Sequence, residues 1–146
     1  QEKGFCTRMN SVIVRLATAS DIGILLLHDR HVSENILEQA VEARHIMVIE
    51  EDGGFAGWLR WSLFWDSIPF LNMLFLLQPF RHRGLGRTFI TTWEALLRKE
   101  GYSQVMTSTQ VNEEGQFFYR KLGYTDCGCL FPPNQNIMEI FLRKTL

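Results

Sequence analysis

Hydrophobic positions along the chain alternate or run continuously in some segments and recur every three or four residues in others. The first two patterns are typical of β-strands, and the three-or-four spacing is typical of amphipathic helices. The predicted strands cover residues 11–16, 45–50, 55–64, 70–77 and 104–109, with one or two more around 137–142. Helices are predicted from 18 toward 28, after Ser33, from Gly84 to Gly101, and from an Asn112 cap to Gly123.

The segment 70–77 is apolar at every position except Asn72, which predicts a strand buried on both faces. Turn residues at 51–54 predict a hairpin between strand 45–50 and strand 55–64, and residues 65–67 predict the next turn. The order of elements is β-α-α-β-β-β-α-β-α-β. It predicts a mixed sheet flanked by helices on both faces, in the α/β or α+β class.

Length and composition narrow the class of protein. With 146 residues, 46% of them hydrophobic, the chain predicts a single domain over residues 1–146, in which 1–8 are a tail and Met9 could be the biological start. The first ten residues lack the apolar segment of a signal peptide, and no run is long enough to span a membrane, so a cytoplasmic location is expected. A net charge of −1 gives no general attraction to nucleic acid or to a membrane.

Three cysteines, with Cys127 and Cys129 only two residues apart, do not form a disulfide framework. A metal site at this pair would need further ligands at a suitable spacing, and none lies nearby in the sequence. Buried or half-buried structural thiols, a reducing cytoplasm and no bound metal are therefore expected.

The segment 81–87, Arg-His-Arg-Gly-Leu-Gly-Arg, lies where a buried strand is predicted to turn into a helix. A helix N-terminus carries free N–H groups and the positive end of the dipole, which favours acidic residues there. Three arginines at this end, with no acid before Glu94, indicate that an anion such as a phosphate binds. Gly84 and Gly86 would let the backbone approach it closely.

The spacing separates three kinds of phosphate site. A dinucleotide fingerprint needs a third glycine where Phe89 stands, and a P-loop needs a glycine where Arg81 stands. The pattern R-x-x-G-x-G over 81–86 resembles the coenzyme A pyrophosphate loop of the general-control-related N-acetyltransferase (GNAT) superfamily. A second match, N-x6-Y-x3-G-[FY], runs from Asn112 through Tyr119 to Gly123 and Tyr124.

The resemblance implies a GNAT-like fold, with a mostly antiparallel sheet whose strands 4 and 5 splay apart, and acetyl-CoA as co-substrate. Backbone groups around Leu76 and Leu77 would hold the pantetheine arm, amides from 82 to 88 the pyrophosphate, and Asn112 the other side of the arm. A strand 4 N–H near Leu76 would stabilise the oxyanion. The expected cofactor-binding residues are Leu76, Leu77, Arg81, His82, Arg83, Gly84, Leu85, Gly86, Arg87, Thr88, Asn112 and Phe118.

Tyr119 is the expected donor of a proton to the leaving thiolate, the alternative being a tyrosine that only packs on its helix. The base that takes the amine proton is not evident, since strand 4 has no glutamate and strand 5 offers Thr107 and Ser108. A water chain to a peripheral group is expected, with Asp66 and Glu50 as candidates.

Aromatic residues crowd the turn between strands 3 and 4. Trp61 and Trp65 on either side of Asp66 could hold a cationic amine, although alternation would put some of these rings in the core and Asp-Ser is ordinary turn chemistry.

The predicted function is an acetyl-CoA-dependent N-acetyltransferase that acts on a primary amine, either a small molecule or a protein amino group. It would work by direct attack in a ternary complex, as a monomer or homodimer. A noncatalytic coenzyme A-binding module is the alternative. Generic nucleotide or phosphosugar binding is a third hypothesis, but it leaves the match from Asn112 to Tyr124 unexplained. The acceptor stays open.

Overall fold

The computed structural model describes residues 11–146, so the tail expected at 1–8 lies outside the described residues. Seven strands and four helices make up this part of the chain. The strands are β1 (Val12–Leu16), β2 (Ile46–Glu51), β3 (Gly54–Phe64), β4 (Ile68–Leu76), β5 (Gln104–Gln110), β6 (Thr125–Leu130) and β7 (Glu139–Thr145). The helices are α1 (Ile22–His28), α2 (Glu34–Glu42), α3 (Leu85–Lys99) and α4 (Gly115–Lys121).

The ends of the helices follow local sequence signals in two cases and depart from them in a third. Ser33 caps α2 by accepting a hydrogen bond from the Ile36 amide at 3.4 Å, as its position predicts. Gly84, in the left-handed conformation, immediately precedes α3. The prediction that Asn112 caps the fourth helix is wrong, because a turn first forms after β5 and α4 begins only at Gly115.

The strands form a single sheet in the order β1-β2-β3-β4-β5-β7-β6. Every neighbouring pair is antiparallel except β4 and β5, which are parallel. Helix α3 connects these two strands across the sheet, as a parallel pair requires. The mixed sheet expected from the order of elements is confirmed.

Helices cover the two faces of the sheet. On the α3 face, Phe89 and Trp93 of α3 pack with Leu59 of β3 and with residues of α4. On the α1–α2 face, Leu25 of α1 and Leu37 of α2 pack over Trp58 of β3. Adjacent residues of β3 thus belong to opposite cores, as strand alternation requires.

The centre of the sheet opens at a bulge in β4. Arg60 pairs with Met73 and Trp61 pairs with Leu71, so Asn72 is the extra residue. The parallel ladder to β5 consists of Leu71 with Thr107 and the pair before it, and beyond this point the two strands diverge. A bulge bends its strand and increases the local twist, which accounts for the divergence. The splay expected between the fourth and fifth strands is confirmed.

The prediction that 70–77 is buried on both faces is wrong. Leu71 is buried, whereas Asn72 and Phe75 are exposed. The composition is apolar because β4 forms the wall of an open cleft, not because another layer covers it.

The close approach of β3 and β4 depends on Gly57. A Cβ atom at this position would lie 2.2 Å from the carbonyl oxygen of Phe75, a distance that no side chain tolerates. Glycine is therefore required where β3 supports the far end of β4.

A charged network closes the edge of the sheet beside α1. Asp21 accepts two hydrogen bonds from the Arg15 guanidinium, each 2.8 Å, and one from the Thr18 amide at 2.7 Å. Glu50 accepts another from Arg15 at 2.8 Å. The hydrogen bonds from Arg15 hold the pKa of the Asp21 carboxyl below its usual range.

Replacing Asp21 with asparagine is expected to destabilise the protein by about 1 to 2 kcal/mol at neutral pH. Because the pKa of Asp21 is lower in the folded state, its contribution is present above the unfolded pKa of about 4 and is lost as the pH falls through the folded value. Thermal unfolding of both proteins from pH 7 to pH 2 measures this, with Glu38→Gln on the exposed surface of α2 as control. A difference in melting temperature between wild type and Asp21→Asn that is as large at pH 2 as at pH 7 would contradict the role of the ionised Asp21.

Candidate functional site

A cleft of about 580 Å³ lies where β4 and β5 diverge. Residues 71–75 of β4 form one wall and residues 107–110 of β5 the other, and Tyr119 and Gly115 of α4 also line it. Glu139 of β7 and His31, after α1, border it as well. The splay of the sheet is therefore the direct cause of the cleft.

The loop from Arg81 to Gly84 joins β4 to α3 at one end of this region. His82 and Gly84 have positive φ values of 60° and 80°. Backbone in which the sign of φ alternates from residue to residue turns successive amides toward a common point, where an anion can bind. The first backbone bond of the helix runs from the Thr88 amide to the Gly84 carbonyl, so the amides of Leu85, Gly86 and Arg87 precede it. The left-handed backbone at Gly84 fits the glycine found there, and anion binding by the loop stays a prediction.

The three arginines of this loop differ in position. The Nε of Arg81 donates to the carbonyl of Leu76 at 2.8 Å, and its guanidinium lies 4.9 Å from the centre of the Phe75 ring. Arg83 forms an ion pair with Glu51 of β2, which directs its side chain toward the sheet. Arg87 is exposed. Arg81 and Arg83 therefore bind groups of the sheet and position the loop. The charge of Arg87 faces solvent.

Leu76 and Leu77, expected to hold an extended ligand through their backbone, differ in availability. The Leu77 amide donates to the Ala56 carbonyl at 2.8 Å, so that amide is already used by β3. Its carbonyl accepts from the Phe80 amide. Because strand groups alternate, the Leu76 amide points away from β3, toward the side on which β4 has left β5. Leu76 remains the candidate, and the part expected of the Leu77 amide is not available.

Two features beside the cleft suit an extended ligand. A Cβ at Gly86 would lie 3.3 Å from the ring of Phe118, so α3 and α4 approach each other closely here. The hydroxyl of Thr109, which lines the cleft, is buried and has no hydrogen-bond partner within residues 11–146. A buried hydroxyl without a partner is costly unless a ligand or water meets it. Asn112 lies in the exposed loop before α4.

Tyr119 lies at the back of the cleft with 7% of its surface exposed. Burial raises the pKa of its phenol well above the ordinary value, an effect that the nearby Thr107 hydroxyl partly offsets. The ring packs edge-on against Phe118 and Tyr124, with centroids 5.1 and 5.4 Å away. Its hydroxyl is therefore protonated at neutral pH, in a fixed position.

The structure does not bring together the aromatic residues expected to hold the acceptor. Trp61 is 2% exposed and packs against Trp93 in the core of the α3 face. Trp65 is 80% exposed and lies with Asp66 in the tight turn after β3. The cage proposed for an amine at this turn is therefore not formed, because alternation places Trp61 inside.

The two carboxylates considered as bases lie elsewhere. Glu50 is bonded to Arg15 at the edge of the sheet, and Asp66 is in the turn after β3, so neither lines the cleft. Glu113 and Glu139 do line it, and Ser108 donates to Glu139 at 2.8 Å. The sequence pattern indicated neither, since the pairing of β5 with β7 places Glu139 and the turn after β5 places Glu113.

Two general features of the described chain bear on the class of site. Within residues 11–146, no cluster of three or more His, Cys, Asp or Glu has the arrangement of a metal site. None of the four helices in that range is long and apolar enough to cross a membrane.

Comparison with known proteins gives consistent results. One relative is an uncharacterized N-acetyltransferase of Chlorobaculum tepidum, 28% identical over 93 residues, which are 64% of this chain. The match spans 56% of that protein, little more than half its length.

Solved structures share the fold. Ard1 from Thermoplasma volcanium superposes with a TM-score of 0.78 at 14% identity, over 92% of this chain and 97% of that one. The acetyltransferase yncA of Salmonella typhimurium, solved with acetyl-CoA, gives 0.74 at 18% identity, over 92% and 94%. At these identities the likeness concerns the fold alone.

The family model of the acetyltransferase (GNAT) domain matches residues 42–126. This range includes β2 to β5, the loop before α3, the cleft walls on β4 and β5, and α4. The chain therefore belongs to the GNAT acetyltransferase family.

Proposed function

We propose that this protein is an acetyl-CoA-dependent N-acetyltransferase that acts on a primary amine. The observation that carries the proposal is the cleft between β4 and β5, which the protonated Tyr119 lines and whose Phe75 contacts Arg81 of the loop before α3. Family membership and an acetyl-CoA complex among proteins of the same fold support it. The expectation that Cys127 and Cys129 are buried or half-buried is wrong, because both lie in the exposed edge strand β6. Exposed free thiols suit a reducing compartment such as the cytoplasm.

The residues around the cleft fit acetyl-CoA. The amides of 82–88 would bind its pyrophosphate, and Arg87 would add charge. The Leu76 amide and the Thr109 hydroxyl would bind the arm along the cleft, beside Phe118. Acetyl-CoA supplies a thioester whose carbonyl carbon a neutral amine attacks, forming a C–N bond and breaking the C–S bond.

The protein's own groups would handle the two protons. Glu139, directly or through water, would accept the proton that the amine loses, while Ser108 holds the carboxylate in place. Tyr119 would donate a hydrogen bond, and then its proton, to the thiolate. Because burial raises the pKa of the phenol, Tyr119 is the weaker acid of the pair, and the hydrogen bond to sulfur is its main contribution.

Thermal unfolding with acetyl-CoA, CoA, ATP and NAD, followed by assays of thiol release with a panel of amines, tests the proposal. Stabilisation by the two CoA species together with acceptor-dependent thiol release is expected. No stabilisation by either CoA species would overturn it. Stabilisation without release on a broad panel would support the noncatalytic binding module instead.

Replacing Gly86 with valine is expected to weaken acetyl-CoA binding by at least about tenfold, because the added atoms would displace the Phe118 ring and fill the space beside the proposed pyrophosphate site. The matched control is Gly23→Val in α1, where a Cβ meets nothing within 4 Å. Isothermal titration of both variants measures the effect. Equal affinities for the two folded variants would contradict the placement of the ligand beside Gly86.

A further inference from the structure

A buried guanidinium borders the cleft on the α1–α2 face. The side chain of Arg60 in β3 is 10% exposed, and its Nε donates to Asp29 at 3.0 Å. Asp29, 1% exposed, also accepts from the Trp58 indole at 3.2 Å and from the His31 amide at 3.4 Å. The buried Asp29 carboxylate thus holds the Arg60 guanidinium in one orientation.

The two terminal nitrogens of Arg60 are available to a ligand. Within residues 11–146, Asp29 is the group that accepts from Arg60, and it does so through Nε. Arg60 lines the cleft, and it also lines a neighbouring pocket of about 350 Å³ beside α2. A guanidinium is always charged, and its parallel N–H groups match the two oxygens of a carboxylate. An anionic group in the cleft would complete its hydrogen bonding.

The position of Arg60 separates its ligand from acetyl-CoA. Its neighbours in sequence, Leu59 and Trp61, pack in the core of the α3 face, so Arg60 lies on the opposite face. The anion loop begins α3 and belongs to the α3 face. The phosphates of CoA and the ligand of Arg60 therefore approach the splay from different sides of the sheet.

A carboxylate lies on the same face across the splay. Ile140 and Leu142 of β7 pack in the core of the α3 face, which places Glu139 on the α1–α2 face with Arg60. Glu139 lines the same cleft and is held by Ser108. One face of the cleft thus presents a cation on the β3 side and an anion on the β7 side.

We propose that Arg60 binds the carboxylate of an amino-acid acceptor whose amine lies near Glu139. The inference rests on the proposed acetyl transfer. A zwitterionic amine offers an ammonium to Glu139 and a carboxylate to the terminal nitrogens of Arg60, whereas a polyamine or another amine without a carboxylate would leave those nitrogens unpaired. Arg60 is then the residue that selects the acceptor.

The test compares free amino acids, their α-carboxamides and spermidine as acceptors. The rate of thiol release and the equilibrium affinity are measured for each. The wild type is expected to use at least one amino acid with a kcat/KM at least about a hundredfold above that of its amide, as when a bidentate charged contact is lost. Arg60→Lys keeps the charge beside Asp29 but loses the fork. It is expected to raise KM for the amino acid about tenfold or more and to reduce discrimination against the amide, with KM for acetyl-CoA unchanged.

Arg44→Lys on the exposed surface serves as the matched control and is expected to behave as wild type. A kcat/KM for the amides or for spermidine equal to that for the amino acids would overturn the proposal. An unchanged acceptor KM in Arg60→Lys would overturn it as well. Binding measurements separate the two hypotheses. An amino acid that binds more tightly than its amide but is never acetylated would support the Arg60 site and contradict the proposed function.

Discussion

Replacing Tyr119 with phenylalanine is expected to lower kcat about a hundredfold while the affinity for acetyl-CoA stays within about twofold. The hydroxyl lies at the back of the cleft, and the raised pKa of the phenol keeps it a hydrogen-bond donor at neutral pH. Phenylalanine retains the ring contacts with Phe118 and Tyr124, so the variant removes the donor and little else. Steady-state kinetics and titration with acetyl-CoA measure the two quantities.

Tyr102→Phe, in the half-buried loop after α3, is the matched control, with kcat unchanged. Because the pKa of Tyr119 is raised, deprotonation of this phenol is not expected to reduce kcat between pH 7 and pH 9. An unaltered kcat in Tyr119→Phe would reject the donor role. A parallel fall in acetyl-CoA affinity and thermal stability would indicate that the residue only packs.

Replacing Lys144 with methionine is expected to cost about 3 to 5 kcal/mol of the free energy of unfolding. Glu94 of α3 is 2% exposed, and the ammonium of Lys144 lies 2.9 and 3.0 Å from its two oxygens. The Tyr124 hydroxyl donates to the same carboxylate at 3.2 Å. Removing the lysine leaves a buried carboxylate without its cation, which one phenol does not compensate. Urea denaturation measures the loss.

The double variant Glu94→Leu with Lys144→Met distinguishes the loss of the ion pair from the cost of an unpaired buried carboxylate. Removing both charges is expected to recover part of the stability, since a buried ion pair contributes little beyond its own desolvation cost, whereas the buried Tyr124 hydroxyl loses its acceptor. Lys99→Met at the exposed end of α3 is the control, with a change below about 0.5 kcal/mol. A Lys144→Met protein as stable as this control would show that Glu94 does not depend on the lysine.

Local signals were sufficient to predict most of the elements and the glycine conformation before α3, while anion binding by the loop stays a prediction. The hairpin turn with positive φ at Asp52 and Gly53, the cap at Ser33 and the left-handed Gly84 each follow from residues within a few positions of one another. The apolar run of β4 indicated a strand correctly. It did not reveal the splay, since the bulge at Asn72 is a property of two strands and not of one.

The acceptor side of the cleft depends on long-range pairing. Glu139 meets Ser108 across 31 positions, and Arg60 meets Asp29 across another 31. The sequence did hold one signal that the prediction overlooked. Arg60 interrupts a run of large apolar residues in β3, and a charge in such a strand needs a buried partner or a ligand. Nothing comparable pointed to Asp29.

The short ladder between β4 and β5 has a mechanical consequence. The two parts of the sheet, β1 to β4 and β5 to β7, are joined at their seam by two residue pairs and by the core beneath α3, in which Trp93 and Leu97 contribute. Ladder hydrogen bonds have strict geometry, whereas apolar packing is non-directional. We therefore expect the width of the seam to adjust by small shifts of side chains in the core beneath α3, while the two ladder pairs keep the strands in register.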